Sequence, residues 1–196
     1  MTKPILEETQ LLGGREVDDI IRNAAANIVR DIGGVTDENF AVIGIQGGGI
    51  ELSKRLLDKI SEVTGKAIKH GTIDISFYRD DLATRGMLPT IKETKITFDI
   101  TGMSLLLVDD VIFTGRSIKA AIEAVMSFGR PARIKLFCLV DRGGRELPIQ
   151  PDYCGLRTNA TSGVHDQIQV RLYPDKKDSA KEAVVLIKQT ENKELT

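Results

Sequence analysis

Apolar residues along this chain follow two periods that alternate through most of its length. Between Val17 and Ile32 they fall at Val17, Ile20, Ile21, Ala24, Ala25, Ile28, Val29 and Ile32, one stripe of a helix, and Gly33 with Gly34 supplies a stop. Phe40 to Ile45 is a short unbroken apolar run, the pattern of a strand buried on both faces. Gly47, Gly48 and Gly49 follow. A second helical stripe then runs through about Ile60, carrying Ile50, Leu52, Leu56, Leu57 and Ile60. Lys66 to Tyr78 contains another strand, with Ile73, Ile75 and Phe77 alternating against Asp74, Ser76 and Tyr78. Ser104 to Val108 predicts a third strand, and a helix face after it carries Ile118, Ala121, Ile122, Val125 and Met126. Gly129, Arg130 and Pro131 end that helix, and Ile134 to Val140 predicts a fourth buried strand.

Strands alternating with helices imply an α/β fold built on a central, mainly parallel sheet with right-handed crossovers. Two stretches depart from this rhythm. From Arg79 to about Lys95 the chain turns polar, and a loop of that length inside a compact domain is expected to be a functional lid or a disordered segment. From Asp141 onward Gly, Pro and polar residues surround short strand candidates at Ile168–Leu172 and Ala183–Lys188, read as a small cap or extra sheet edge on the ligand side.

Composition narrows the class. The 196 residues suit one domain with a sizeable core, and no apolar run approaches bilayer length. The N-terminus lacks the basic-then-apolar layout of a signal peptide, and Cys138 and Cys154 read as reduced thiols, so the expected location is cytoplasmic. With 27 basic against 28 acidic residues the chain is no generic nucleic-acid coat protein. His70 and His165 lie too far apart, with too few neighbouring ligands, to suggest a protein-caged zinc.

The chemistry concentrates where the third strand ends. Leu105, Leu106, Leu107 and Val108 run into Asp109 and Asp110, and Thr114, Gly115, Arg116 and Ser117 open the following helix. Backbone N–H groups at a helix start form an anion site, Gly115 allows a phosphate close approach, and the hydroxyls add donors. The paired acids stand about one ribose away, so the segment reads as a sugar-phosphate holder; a solvated turn with a helix cap is the plainer alternative. A second anion loop is Gln46, Gly47, Gly48 and Gly49. It fails the dinucleotide fingerprint Gly-x-Gly-x-x-Gly and lacks the Lys-Ser/Thr ending of a P-loop, yet suits phosphate oxygens as a backbone cradle. Two anion loops at neighbouring strand ends match a substrate bearing phosphates at both ends.

The run from Leu105 to Ser117 resembles the phosphoribosyl-diphosphate (PRPP) signature of type I phosphoribosyltransferases. Joined with Ile73 to Leu82 and Val140 to Ile149, it is similar to the bacterial pyrimidine operon regulator/uracil phosphoribosyltransferase (PyrR) family, over about Val17 to Leu172. The resemblance implies a type I phosphoribosyltransferase fold: one domain over residues 1–196, with a core of about 17–140 and a small hood and tail of about 141–196. It implies that uracil and PRPP give UMP and pyrophosphate, with Mg²⁺ held largely by PRPP. By the same resemblance Asp109, Asp110 and Arg79 belong to the catalytic centre, the two acids binding the ribose hydroxyls. Thr114, Gly115, Arg116 and Ser117 hold the 5′-phosphate, and Gln46 to Gly49 hold pyrophosphate. Asp141, Arg142, Gly143 and Arg145 lie in the hood near the base, and Arg79 to about Lys95 form the lid. Pyrimidine-operon leader mRNA and further copies of the chain are implied partners.

The sequence also departs from that family. Gln46-Gly47-Gly48-Gly49 replaces a loop with a Thr-Arg-Gly core, removing cationic side chains, and charge-assisted hydrogen bonds are roughly twice as strong as neutral ones. Gly144 stands where the hood usually has His, and Tyr153 to Thr161 keeps only part of the usual pattern. Three readings therefore stand: a uracil phosphoribosyltransferase, a nucleotide-sensing RNA regulator with weak or no catalysis, and a transferase for another base. Arg22, Arg30, Arg130, Arg133, Lys135, Arg142, Arg145 and Arg157 are the candidates for an RNA-binding face.

Overall fold

The computed structural model of the chain describes residues 5–79, 93–159, 166–174 and 181–190. β1 (Ile5–Gly13) leads directly into α1 (Gly14–Ile32), whose start is capped by the Glu16 carboxylate accepting the Gly13 N–H at 2.7 Å. Then come β2 (Phe40–Ile45), α2 (Gly48–Thr64), β3 (Lys69–Ile73), β4 (Ser104–Ile112), α3 (Arg116–Met126), β5 (Arg133–Asp141), β6 (Tyr153–Arg157), β7 (Gln167–Arg171) and β8 (Ala183–Thr190).

β2 to β6 form a five-stranded parallel sheet in the order β3-β2-β4-β5-β6. Its central strands are apolar on both faces because both are covered. Phe40 and Val42 join one core with Leu52, Leu56 and Ile60 of α2 and the buried stripe of α1. Ala41, Ile43 and Ile45 join the other with Ile118, Ala121 and Val125 of α3. The chain leaves β2 toward β3 and leaves β4 toward β5, in opposite directions. The gap between the C-terminal ends of β2 and β4 is thus the topological switch point, where loops diverge and a crevice opens.

β8 pairs antiparallel with β1 on one side and β7 on the other in a separate three-stranded sheet, order β1-β8-β7. It packs on α1 through Leu12, Val170 and Val184. The sequence pattern did not reveal β1, because among its described side chains Leu6 to Gln10 stay exposed and only Leu12 is buried. The first strand of the tail, β6, is an added edge of the central sheet, parallel to β5.

Two expected elements change. The strand expected over Ser104–Val108 continues to Ile112, since Val111 and Ile112 still pair with Val140 and Asp141. The strand expected through Tyr78 ends at Ile73. There Asp74 Oδ1 accepts the Ser76 N–H at 2.9 Å and its hydroxyl at 2.6 Å, drawing Ser76–Tyr78 into one 3₁₀ turn. Ile75 is buried while Phe77 is 65% exposed, so the alternation of apolar residues there was not that of a strand. Residues 80–92 of the expected lid lie outside the described residues.

Candidate active site

The two loops that the sequence marked as anion sites flank the switch point. At the end of β2 each glycine answers a separate demand. Gly47 has φ +116° and ψ −138°, a backbone region open essentially to glycine. A Cβ on Gly48 would stand 2.1 Å from Asp110 Oδ2, and one on Gly49 2.5 Å from the Val108 carbonyl oxygen. The loop is stripped of side chains because the end of β4 lies directly against it. Gln46 turns its amide away, donating from Nε2 to the Glu93 carbonyl at 2.9 Å, so it contributes no cation and little side-chain reach to the loop.

Across the gap, α3 starts at Arg116 behind Gly115, which adopts φ +91°. The Arg116 N–H donates to Thr114 Oγ1 at 3.3 Å, and Ser117 Oγ receives the Arg79 guanidinium at 3.4 Å. The hood loop braces this cradle. Thr114 O accepts the N–H groups of Glu146 and Leu147, each at 3.0 Å, and Arg116 Nε pairs with Glu146 at 2.6 Å. The Thr114–Arg116 turn is therefore fixed from the hood side before any ligand arrives.

Asp109 and Asp110 sit between the two loops and still within β4. Asp109 is buried, and Asp110 is half-buried. Burial first, then the Asp110 charge beside it, pushes the Asp109 carboxyl well above the usual carboxylate range. Two openings meet here. One of about 170 Å³ is lined by Asp109, Phe113, Thr114, Gly115 and Ser117, and one of about 340 Å³ by Gln46, Gly47, Gly48, Asp74, Ser76 and Asp110; both also touch Arg79, Asp109, Val111 and Ser117. They form one cleft with an anion loop at each end and carboxylates in the middle.

The hood residues divide. Asp141 closes β5, and its Oδ1 accepts the Gly143 N–H at 3.0 Å and pairs with Arg145 Nη2 at 2.8 Å. Arg145 also donates from Nε to Ile149 O at 2.8 Å and from Nη1 to Phe113 O at 2.7 Å. These two residues cross-link the hood to the cradle. Arg142 instead lays its guanidinium over the Phe113 ring, 4.1 Å from the centroid, and Phe113 was not singled out by sequence. Asp74 and Ser76 on the cleft wall were missed as well, hidden by the strand-like alternation around them.

A switch-point cleft with a Thr-Gly-Arg-Ser helix start on one side, a glycine loop on the other and paired acids between them is the arrangement expected of a phosphoribosyltransferase. Residues 8–174 match the phosphoribosyl transferase domain family. Solved structures show the same fold: the hypoxanthine phosphoribosyltransferase of Trypanosoma cruzi has a TM-score of 0.67 at 19% identity, covering 93% of this chain and 97% of that one. A hypoxanthine-guanine phosphoribosyltransferase of Bacillus anthracis has a TM-score of 0.61 at 21% identity, covering 76% and 83%. Sequence relatives are closer. The bifunctional protein PyrR of Chloroflexus aurantiacus is 40% identical over 179 residues, 91% of this chain and 95% of its own. That of Elusimicrobium minutum is 48% identical over 135 residues, 68% and 75%. The chain belongs to the PyrR family of bifunctional proteins.

Proposed function

We infer that the cleft between Gly47 and Ser117 carries the transferase activity of this family: a pentosyltransferase joining uracil to PRPP, giving UMP and pyrophosphate. The observation that carries the reading is the meeting of the two openings at Asp109, with an anion loop at either end. In the reaction the C1–pyrophosphate bond breaks, a C1–N1 bond to uracil forms, and the N1 proton of uracil passes to the departing pyrophosphate or to water. Positive charge grows on the ribose and negative charge on the leaving group, so positioned charge and dipoles suffice, without a protein nucleophile. Thr114 to Ser117 hold the 5′-phosphate through helix-start N–H groups and hydroxyls. Gly47 to Gly49 offer backbone donors to pyrophosphate. Asp109 and Asp110 take the ribose hydroxyls, and Arg79 sits at the phosphate end. Mg²⁺ arriving with PRPP fits the acids' hard oxygen donors, Asp110 being the more open of the two, and would offset pyrophosphate charge. Among the described residues no cluster of His, Cys, Asp and Glu could cage a metal alone.

The second function of the family, control of pyrimidine-gene mRNA in response to UMP, is the other half of the reading. Among the described residues, several candidate cations already have partners: Arg22 with Asp19, Arg30 with Asp31 and Lys135 with Asp152. Such exposed pairs are weak, so they leave an RNA face available while lowering its net positive charge. Among the described residues no helix is long and apolar enough to cross a membrane. Formation of UMP from uracil and PRPP with Mg²⁺ tests the transferase reading. UMP binding without turnover supports the sensing reading, which the loss of cationic side chains at Gly47 and Gly48 favours.

A further inference from the structure

We propose that Phe113 is a specificity-determining residue of this cleft: its ring is the stacking wall for the nucleobase, set in place by Arg142 and by the bare backbone of Gly144. The proposal rests on the transferase reading of the cleft. Phe113 follows the last residue of β4 and lines the opening that also holds Asp109 and Ser117. It is a large apolar side chain left 44% exposed next to polar ligand-binding loops. The Arg142 guanidinium covers the ring at 4.1 Å, and Arg142 Nε is buried without a hydrogen-bond partner among the described residues. That arginine is held between the ring and the charge of the buried Asp166 carboxylate.

Gly144 completes the seat. It adopts φ +68°, and a Cβ there would stand 2.3 Å from Phe113 Cε2 and 2.9 Å from Cδ2. The ring occupies the space a side chain at 144 would need, so the glycine in the hood and the phenyl at the end of β4 form a matched pair. Arg145 fixes the backbone beneath by donating to the Phe113 carbonyl at 2.7 Å. A ring held by cation, backbone and neighbour loses little freedom on binding, which favours stacking of a planar base. A phenyl has no polar atom, so it selects for a flat heterocycle by face and shape.

The test compares wild type with Phe113→Leu, which keeps apolar bulk but not the π face, and with Phe113→Tyr and Gly144→Ala. Calorimetry measures UMP and ribose 5-phosphate binding to each, and a thermal melt reports folding. Phe113→Leu is expected to weaken UMP roughly 5- to 100-fold, the range of one base–aromatic stack, with ribose 5-phosphate affinity held within about twofold. Phe113→Tyr keeps UMP affinity, and Gly144→Ala weakens UMP in the same selective way by displacing the ring. Equal weakening of both ligands by Phe113→Leu, or no weakening of UMP, overturns the proposal. A wild type that binds UMP but forms none from uracil and PRPP refutes the transferase reading alone, and the binding comparison still decides the role of Phe113.

Discussion

The carboxylate of Asp110 occupies the place where a side chain on Gly48 would begin: a Cβ built there stands 2.1 Å from Oδ2, 2.4 Å from Cγ and 2.8 Å from the Asp110 Cβ. The contact joins the end of β4 to the loop after β2 across the switch point. The aspartate's own Cβ is too close for a simple turn of the carboxylate to relieve. Gly48→Ala is therefore expected to push Asp110 from its position and weaken PRPP binding about tenfold, close to 1.4 kcal/mol. Titration calorimetry with PRPP and Mg²⁺ measures this; an unchanged affinity contradicts the coupling between the loops.

Asp109 holds its proton more tightly in the folded protein than in the unfolded chain, because burial and the Asp110 charge oppose ionisation. The folded state then binds more protons, so this group costs stability progressively as pH rises from the ordinary carboxylate range through the folded value. Asp109→Asn removes that cost. The ligand-free variant is expected to melt about 2–4 °C higher at neutral pH, the shift about 1 kcal/mol gives a domain of this size, while losing PRPP affinity. Melting curves from pH 4 to 8 should show the gain growing with pH; a gain that is flat or shrinks contradicts it.

His70 has the opposite sign. Burial first, and then Lys54, depress its pKa below the ordinary histidine value. Its Nε2 lies 2.9 Å from Ser53 Oγ, whose hydroxyl donates to Ile50 O at 2.7 Å near the start of α2. The folded state rejects the proton that the unfolded chain accepts, so stability from this group is complete above the ordinary histidine pKa and is lost as pH falls below it. Urea midpoints should drop between pH 7 and pH 5 in wild type and drop less in His70→Gln. Parallel slopes in the two proteins exclude His70 as the source.

Arg55 on α2 grips Glu182, which is buried at the start of β8, with Nη1 2.9 Å from Oε2. Glu182 also receives the Tyr173 N–H at 3.2 Å, and Arg55 pairs with Glu51. Arg55→Met leaves that carboxylate buried and without its cation, at a cost of about 3–5 kcal/mol. Replacing both residues, Arg55→Met with Glu182→Leu, should recover most of the loss in urea denaturation. A double variant as unstable as the single one shows that packing rather than charge holds this junction.

Much of this architecture was legible in the chain because period and burial coincide. Phe40–Ile45 and Leu105–Val108 are apolar throughout, since helices cover both faces of their sheet, and the stripes of α1, α2 and α3 mark one buried face each. The two loops were legible as a pair because both follow unbroken apolar strands and both open helices, so the sequence alone sets them at neighbouring strand ends. β1 was hidden because its partner β8 is nearly the whole chain away and its own residues are mostly solvated. Asp74 and Ser76 were hidden because a local side-chain turn mimicked strand alternation. Phe113 resembled any apolar residue beside a motif; only the approach of Arg142 and Gly144, from 29 and 31 residues further along, reveals its setting.

Making a nucleotide from a free pyrimidine base is the reaction that this cleft must be shown to perform. The direct measurement incubates the protein with uracil, PRPP and Mg²⁺ and quantifies UMP and pyrophosphate together. Equal amounts of the two are expected, abolished by Asp109→Asn combined with Asp110→Asn. Absence of UMP under conditions where calorimetry shows both PRPP and UMP bound would contradict that expectation and leave a nucleotide sensor in the same fold.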